Sequence, residues 1–222
     1  MLKQFSLSEL ALEASRPLVA LDEHDGRISD GLKRTLDISV SLGLIAALLP
    51  LMALIALAIR CTSRGPAVYS QRRLTVGGRL FTMYKFRTMT LTAESGTGAV
   101  MCSENDPRIT RLGRLLRRTR LDELPQLLNV ILGDMSLIGP RPERPEIAAQ
   151  LEHELPLMKR RLEVKAGLSG LAQVTSGYAD SAESYREKLL LDLAYIDQRS
   201  LALDLRIAVR TLWVILSGFG AR

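Results

Sequence analysis

The chain has 222 residues and a mass of 24.5 kDa, with 47% hydrophobic residues and a mean hydropathy of +0.10, which suits one large domain or two small ones and excludes a multi-span membrane protein. A formal charge of +6 and a pI of about 9.6 call for an anionic partner, whether nucleic acid, lipid headgroups or phosphorylated small molecules. The two cysteines, Cys61 and Cys102, have no metal-ligand spacing, which excludes a disulfide framework or a zinc site and fits a reducing compartment.

Among the first thirty residues, Glu9, Glu13, Asp22, Glu23 and Asp25 are scattered between leucines, and no basic-then-apolar signal peptide is present. Residues 1–32 are expected to form an arm or short surface helix. Ile38 to Ile59 follows without a charge, closed by Asp37 and Arg60. At about 1.5 Å per residue, such a helix reaches roughly 33 Å and can cross the hydrocarbon core. Pro50, near its middle, removes one backbone N–H and sets its ring against the carbonyl of Ala46, dividing the run into two halves. Lys33 and Arg34 precede the run, and Arg60, Arg64, Arg72 and Arg73 follow it. Cations at both ends are satisfied if both ends lie on the cytoplasmic face, so residues 33–60 are expected to enter the bilayer, break at Pro50 and return. Ser39 or Ser41 can satisfy the freed backbone groups; a Pro-kinked spanning helix is the other reading.

Past Gly65-Pro66, residues 61–200 are expected to form a cytoplasmic catalytic domain. Val68 to Val76, Gly77-Gly78 and Arg79 to Met89 predict a β-hairpin with a two-residue glycine turn. Alternation puts Phe81, Met83, Lys85 and Arg87 on one face, where the two cations either meet a phosphate or serve as solvated edge charges. Leu91 to Asp106 has little periodicity and predicts a loop that can close over substrate. Leu112, Leu115, Leu116 and Thr119 make an apolar helical stripe opposite Arg111, Arg114, Arg117, Arg118 and Arg120. A solvated or headgroup-facing role covers most of those arginines, with one or two turned to an active site. Leu124, Leu127, Leu128 and Ile131 predict a second helix ending at Gly133, with Asp122 at or beside its N-terminus. Adjacent carboxylates beside a basic helix can divide roles, one ionised as nucleophile or metal ligand and the other handling protons. An ordinary capping pair is the alternative for Asp122-Glu123 taken alone. Leu201 to Phe219 is apolar but carries Asp204, Arg206 and Arg210, so residues 201–222 are expected to form an interfacial amphipathic helix, or else a packed terminal one.

Ordered blocks change the weight of that carboxylate pair. They are Lys33-Arg34-Thr35-Leu36-Asp37, Tyr84-Lys85-Phe86-Arg87-Thr88-Met89, Asp106-Pro107-Arg108-Ile109-Thr110 and Leu121-Asp122-Glu123-Leu124-Pro125-Gln126. Gly133-Asp134-Met135-Ser136 through Gly139-Pro140-Arg141-Pro142, Gly167-Leu168-Ser169-Gly170-Leu171-Ala172-Gln173-Val174 and Asp192-Leu193-Ala194-Tyr195-Ile196 complete the set. From Lys33 to Phe219 the sequence resembles the bacterial polyprenyl-phosphate phosphoglycosyl transferases in their small monotopic form. The resemblance implies that Asp122 attacks the sugar-bearing phosphate of a UDP-sugar, releases UMP and forms an aspartyl phosphosugar, which a polyprenyl phosphate then collects. It implies Mg2+ with Asp122 as a ligand, Glu123 as base or orienting carboxylate, and Lys85, Arg117 and Arg141 as phosphate-contacting cations. It further implies a re-entrant helix, the bacterial inner membrane with the catalytic domain on the cytoplasmic face, and a first step in exopolysaccharide or other glycoconjugate synthesis. Three positions depart from the family pattern: Ala166 where many relatives have proline, Arg120 where serine is common, and only about thirty residues before the membrane run. The expected fold class is α+β, mostly α: a re-entrant membrane helix, interfacial amphipathic helices and a small β-hairpin. The expected partners are a UDP-sugar, a polyprenyl phosphate and anionic bilayer headgroups. Apolar surface helices allow a homodimer, and aromatics at 5% without a binding motif argue against nucleic acid. A basic membrane-surface adaptor without chemistry is the competing class; it accounts for the charge and the anchor but not for Asp122-Glu123 or Gly-Pro-Arg-Pro.

Overall fold

The computed structural model describes residues 29–91, 93, 106–176 and 182–217. The loop expected over Leu91 to Asp106 lies almost wholly outside the described residues, as do the arm before residue 29 and Phe219.

Ser29 caps the first helix, α1 (Asp30–Thr62), its side chain accepting from the N–H of Leu32 at 3.3 Å. Pro50 lies inside α1, and the helix continues through it rather than ending there. The expected halves are thus one hydrogen-bonded element with a donor missing in the middle. By length and composition α1 can cross a membrane, and little of its apolar stretch is covered. Leu42, Leu49, Leu54 and Leu57 are exposed, while its buried residues are Asp37, Ser41, Ile55 and Ile59.

The hairpin pairs β1 (Val68–Leu74) with β2 (Leu80–Phe86), in register from Val68↔Phe86 to Leu74↔Leu80. The loop is longer than the expected two-residue turn: Val76–Gly78 forms a 3-10 turn inside the Thr75 N–H to Arg79 C=O hydrogen bond (3.0 Å), with Gly77 (φ 68°) and Gly78 (φ 74°) in left-handed conformations. Phe81 and Met83 are buried on one face of β2 and Phe86 on the other, so both faces are covered at its end.

The arginine helix is α2 (Arg111–Arg118), capped by Thr110, whose hydroxyl accepts from Gly113 N–H at 2.9 Å. Its buried residues are Gly113 and Leu116, with Leu112 beside them; Leu115, expected in the stripe, is exposed. Gly113 decides this rotation. A Cβ there would stand 2.0 Å from the Thr88 carbonyl oxygen, so glycine lets the helix lie directly on the strand that continues β2. The next helix, α3 (Gln126–Leu132), ends at left-handed Gly133, as expected. Its buried face is Gln126, Leu127, Asn129 and Val130, whereas Leu128 of the expected stripe is exposed. A polar contact sets that face: Asn129 accepts from Tyr84 N–H (3.0 Å) and donates to Thr82 C=O (2.7 Å), occupying the free edge of β2.

A second, parallel pair joins β3 (Met135–Ile138) to β4 (Ala166–Ser169) through α4 (Pro145–Glu154) and a 3-10 segment, Pro156–Glu163. The glycines of the Gly-Pro-Arg-Pro and Gly-Leu-Ser-Gly blocks permit the crossing, since a Cβ on Gly167 would lie 2.2 Å from the Gly139 nitrogen. Thr75, in the hairpin turn, donates to Asp134 C=O (2.7 Å) and accepts from Ala166 N–H (3.2 Å), tying the two sheets together. The short α5 (Leu171–Thr175), then α6 (Ala182–Gln198) and α7 (Leu201–Ser217), close the largest core, around Ile138, Leu171, Leu191, Tyr195, Leu203 and Ile207. Opposite its buried face, α7 exposes Leu205, Val209, Leu212, Trp213 and Leu216, spaced as one helical stripe.

Polar contacts fasten the start of α1. Lys33 forms an ion pair with Asp204, which also accepts from the Tyr195 hydroxyl at 2.8 Å. Arg34 donates to the carbonyls of Val130 and Ile131, and Asp37 accepts from Leu137 N–H at 3.0 Å. The other end packs Ile55 and Ile59 on Phe86 and Leu116, with Leu121 and Leu124 alongside.

Candidate active site

Between α2 and α3 the chain turns through Arg120, a non-glycine residue in the left-handed region (φ 57°), into a 3-10 turn, Leu121–Glu123. Leu121 and Leu124 face the apolar cluster at the end of α1, which aims the residues between them the other way, toward β2. Asp122 thus sits in a 3-10 turn ahead of α3 rather than as its cap, and Pro125 occupies the cap position.

Glu123 is held by two cations. Lys85 Nζ, from the end of β2, donates to its Oε1 at 3.0 Å, and Arg141, from the turn after β3, reaches both oxygens at 2.7 and 3.4 Å. Burial alone would raise this carboxyl; Arg141 and Lys85 outweigh it and hold Glu123 well below the usual carboxylate range. Glu123 in turn pushes the Arg141 guanidinium up, while burial pulls the Lys85 ammonium down.

Asp122 differs from its neighbour. It is buried at 7% exposure, and no hydrogen bond or ion pair to its carboxylate is present among the described residues. Burial raises its pKa, opposed first by Lys85 and reinforced by Glu123. Arg117 and Arg141 also act on it through charge. Arg117 is aimed by the hydrogen bond from its Nε to Thr88 Oγ1, 2.9 Å. No group of three His, Cys, Asp or Glu side chains capable of caging a metal occurs among the described residues.

The structure therefore brings Asp122, Glu123, Lys85, Arg117 and Arg141 together. Arg87 also lines the cleft but is differently engaged. One of its terminal nitrogens donates to the carbonyl (2.9 Å) and hydroxyl (2.7 Å) of Ser63, at the end of α1, and the other is buried without a partner. It ties the end of α1 to the site.

The cleft encloses about 520 Å3. Ten arginines and lysines line it against four carboxylates, a surplus of six equal to the net charge of the whole chain. The remaining charges of the chain cancel in sum, so this cleft is where an anion would be most favoured. Several wall residues carried no recognisable signal in the sequence. Arg161 donates to Asp192 (2.8 Å) and to the Arg141 carbonyl (2.8 Å), fixing the turn that presents Arg141. Arg73 donates to Pro142 C=O at 3.1 Å and lies 3.8 Å from Glu143. Lys188 and Arg144 complete that end.

Sequence comparison agrees with this architecture. The bacterial sugar transferase family matches residues 28–218. A UDP-N-acetylgalactosamine-undecaprenyl-phosphate N-acetylgalactosaminephosphotransferase of Aeromonas hydrophila is 44% identical over 191 residues, 86% of this chain and 45% of that protein. A UDP-glucose:undecaprenyl-phosphate glucose-1-phosphate transferase of Caulobacter vibrioides is 41% identical over 83% of this chain and 70% of its own length. An exopolysaccharide production protein of Rhizobium leguminosarum bv. phaseoli is 39% identical over 82% of the chain and 93% of its own length. The chain thus spans less than half of the Aeromonas relative but most of the other two. With a family match running from the cap of α1 to the end of α7 and enclosing the whole cleft, the chain belongs to the bacterial sugar transferase family.

Proposed function

We propose that this chain transfers a sugar-1-phosphate from a UDP-sugar to a polyprenyl phosphate, undecaprenyl phosphate in bacteria, through a covalent intermediate on Asp122. The observation that carries the reading is the asymmetry of the carboxylate pair. Glu123 is consumed by Lys85 and Arg141, whereas Asp122 faces a cationic cleft without a fixed partner.

In the first half-reaction an Asp122 oxygen attacks the sugar-bearing phosphorus. The bond to the other phosphate breaks, its electron pair leaves with UMP, and an acyl phosphate bearing the sugar remains. In the second, a phosphate oxygen of the polyprenyl carrier attacks the same phosphorus and Asp122 departs as a carboxylate. Lys85, Arg117 and Arg141 surround Asp122 and would take the phosphoryl oxygens as charge spreads over them. Glu123, held ionised, is a weak base; its part is to orient Lys85 and Arg141. Magnesium commonly takes one or two carboxylates together with substrate phosphates and waters, and Asp122 fits that donor set. When bound, the ion would neutralise charge on the transferring phosphates.

Membrane attachment through α1, with the site on the cytoplasmic face of the bacterial inner membrane, belongs to the same proposal. A straight helix would separate Arg34 from Ile59 by about 37 Å. Yet Arg34 rests on Val130 and Ile131, and the cluster around Ile59 includes Leu124, six residues before Val130. Both ends meeting one small body supports a bend at Pro50 and a re-entrant path. Replacing Pro50 with leucine is expected to favour a straight, spanning helix and to move residues 1–30 across the membrane in accessibility labelling; an unchanged pattern would contradict the re-entrant path.

The chemistry is tested by UMP release from a panel of UDP-sugars with and without polyprenyl phosphate, which also names the sugar. Asp122→Asn is expected to lower turnover by about a thousandfold or more while membrane association persists. Near-normal turnover in that variant would rule out the covalent route, and an adaptor without chemistry would release no UMP at all.

A further inference from the structure

We infer that Asp192 and Arg161 form a positioning pair for the reaction: they hold the turn that presents Arg141 to Glu123, and they act on turnover only through Arg141. This rests on the role of Arg141 proposed above and deepens it, because it gives a task to the Asp192-to-Ile196 block, which the mechanism leaves unused.

The turn starts from a local shortage of donors. In Gly139-Pro140-Arg141-Pro142 the two prolines carry no N–H, so the segment is held largely through its carbonyls. All four carbonyls from Pro140 to Glu143 are taken. Gly167 N–H donates to Pro140 C=O at 2.8 Å, and Leu74 N–H donates to Glu143 C=O at 3.0 Å. Guanidinium groups take the two between them: Arg161 Nη2 donates to Arg141 C=O at 2.8 Å and Arg73 Nη1 to Pro142 C=O at 3.1 Å. The Arg141 carbonyl bears most on the site. Its planar peptide begins at the Arg141 Cα, so fixing that oxygen fixes the root of the side chain that reaches Glu123 at 2.7 Å.

Arg161 is itself fixed rather than turned to substrate. Its Nε donates to Asp192 Oδ2 at 2.8 Å, and its Nη1 lies 3.6 Å from a Glu143 oxygen and 3.8 Å from the Met158 sulfur. Every nitrogen of the group is thus engaged within the protein, and the side chain is 10% exposed against 3% for Asp192. A guanidinium fork bridges a carboxylate and a carbonyl at fixed spacing, which a single ammonium does not. One helical turn beyond Asp192 on α6, the buried Tyr195 places its hydroxyl 3.2 Å from Ile138 C=O. The same face of α6 therefore meets both ends of the segment from Ile138 to Arg141, directly through Tyr195 and by way of Arg161 from Asp192.

The experiment is a double-mutant cycle on the full chain in lipid nanodiscs, read by UMP release with polyprenyl phosphate present, with thermal unfolding to confirm that each variant is folded. Arg161→Lys keeps the buried charge beside Asp192 but cannot reach Asp192 and the Arg141 carbonyl together. Against wild type it should lower kcat by roughly tenfold to a hundredfold, the scale expected when a catalytic group is displaced by up to about 1 Å. In the Arg141→Met background it should lower kcat by less than about twofold, since the group it positions is already gone. Equal fold losses in the two backgrounds, as a purely structural role would give, or wild-type turnover in Arg161→Lys, would overturn the inference. Asp192→Asn, which keeps the shape and an acceptor oxygen, replaces Arg161→Lys if that variant does not fold, and should show the same pattern with a smaller loss. Amide hydrogen exchange in the peptide from Gly139 to Arg144 needs no substrate and should quicken severalfold in either variant; unchanged exchange there would also overturn the inference. A wild type that releases no UMP would strike the function proposed above and leave the positioning of the turn to be decided by the exchange measurement.

Discussion

The outward surface of α1 and α7 and the interior of the cleft invert the ordinary partition of side chains. Leu42, Leu49 and Leu54 on α1, and Leu205, Leu212 and Leu216 on α7, are exposed. Asp37, Arg87, Asp122 and Asp192 are buried. Water alone does not select both arrangements, because exposed leucines forgo apolar burial and buried charges require partners. The difference teaches that two media act on this chain. On the proposed function, a bilayer would cover the apolar face, and anionic substrates would complete a cleft lined with a surplus of cations. Near its start, the face of α1 turned toward the protein makes the same point, since it carries Lys33, Arg34, Asp37 and Ser41; only toward its other end do Ile55 and Ile59 take over.

Three substitutions would break or sharpen that contrast. The largest effect is expected from Lys33→Met, which leaves Asp204 buried without its cation and should cost about 3 kcal/mol. Burial already raises the Asp204 pKa above its unfolded value, and losing Lys33 raises it further. Stability should therefore be retained at low pH, where Asp204 is protonated, and lost as pH rises through its folded-state pKa. Thermal unfolding across pH checks this, and Lys33→Met combined with Asp204→Asn should recover part of the loss. Next comes Gly113→Ala, whose methyl meets the Thr88 carbonyl and must displace α2, for about 2 kcal/mol and a melting temperature lower by roughly 4–8 °C. Because Thr88 also aims Arg117, activity should fall with it. The smallest folding effect belongs to Leu212→Ser on the exposed stripe of α7, which should stay within about 0.5 kcal/mol in detergent. Its binding to liposomes should nonetheless weaken; unchanged liposome binding would remove α7 from the membrane face.

Sequence legibility divided along the same line. The uncharged run, a hairpin with Gly77 and Gly78 in its loop and the Gly133 stop were readable because each depends on local chemistry: hydropathy, positive φ and a helix terminus. The Asp122–Glu123 pair with Lys85, Arg117 and Arg141 was legible only through the ordered blocks, since nothing local says that Arg141, eighteen residues from Glu123, folds back onto it. Helix faces were misread where contact outweighed hydropathy. Leu115 and Leu128 are exposed because Gly113 and Asn129 dock α2 and α3 on the strand segment around Thr82 to Thr88. The parallel β3–β4 pair went unseen because each strand is four residues long and its pairing depends on a distant crossover. Arg87 was read as meeting a phosphate or as a solvated edge charge; its burial and its bonds to Ser63 were not legible, because both depend on where the end of α1 packs.

The most direct measurement is the mass of the peptide carrying Asp122 after the full chain meets a UDP-sugar without lipid acceptor and is quenched and digested. The account predicts a gain equal to one phosphosugar on Asp122, lost again when polyprenyl phosphate is added before the quench. An unmodified peptide, under conditions in which UMP and lipid-linked product still form, would contradict it.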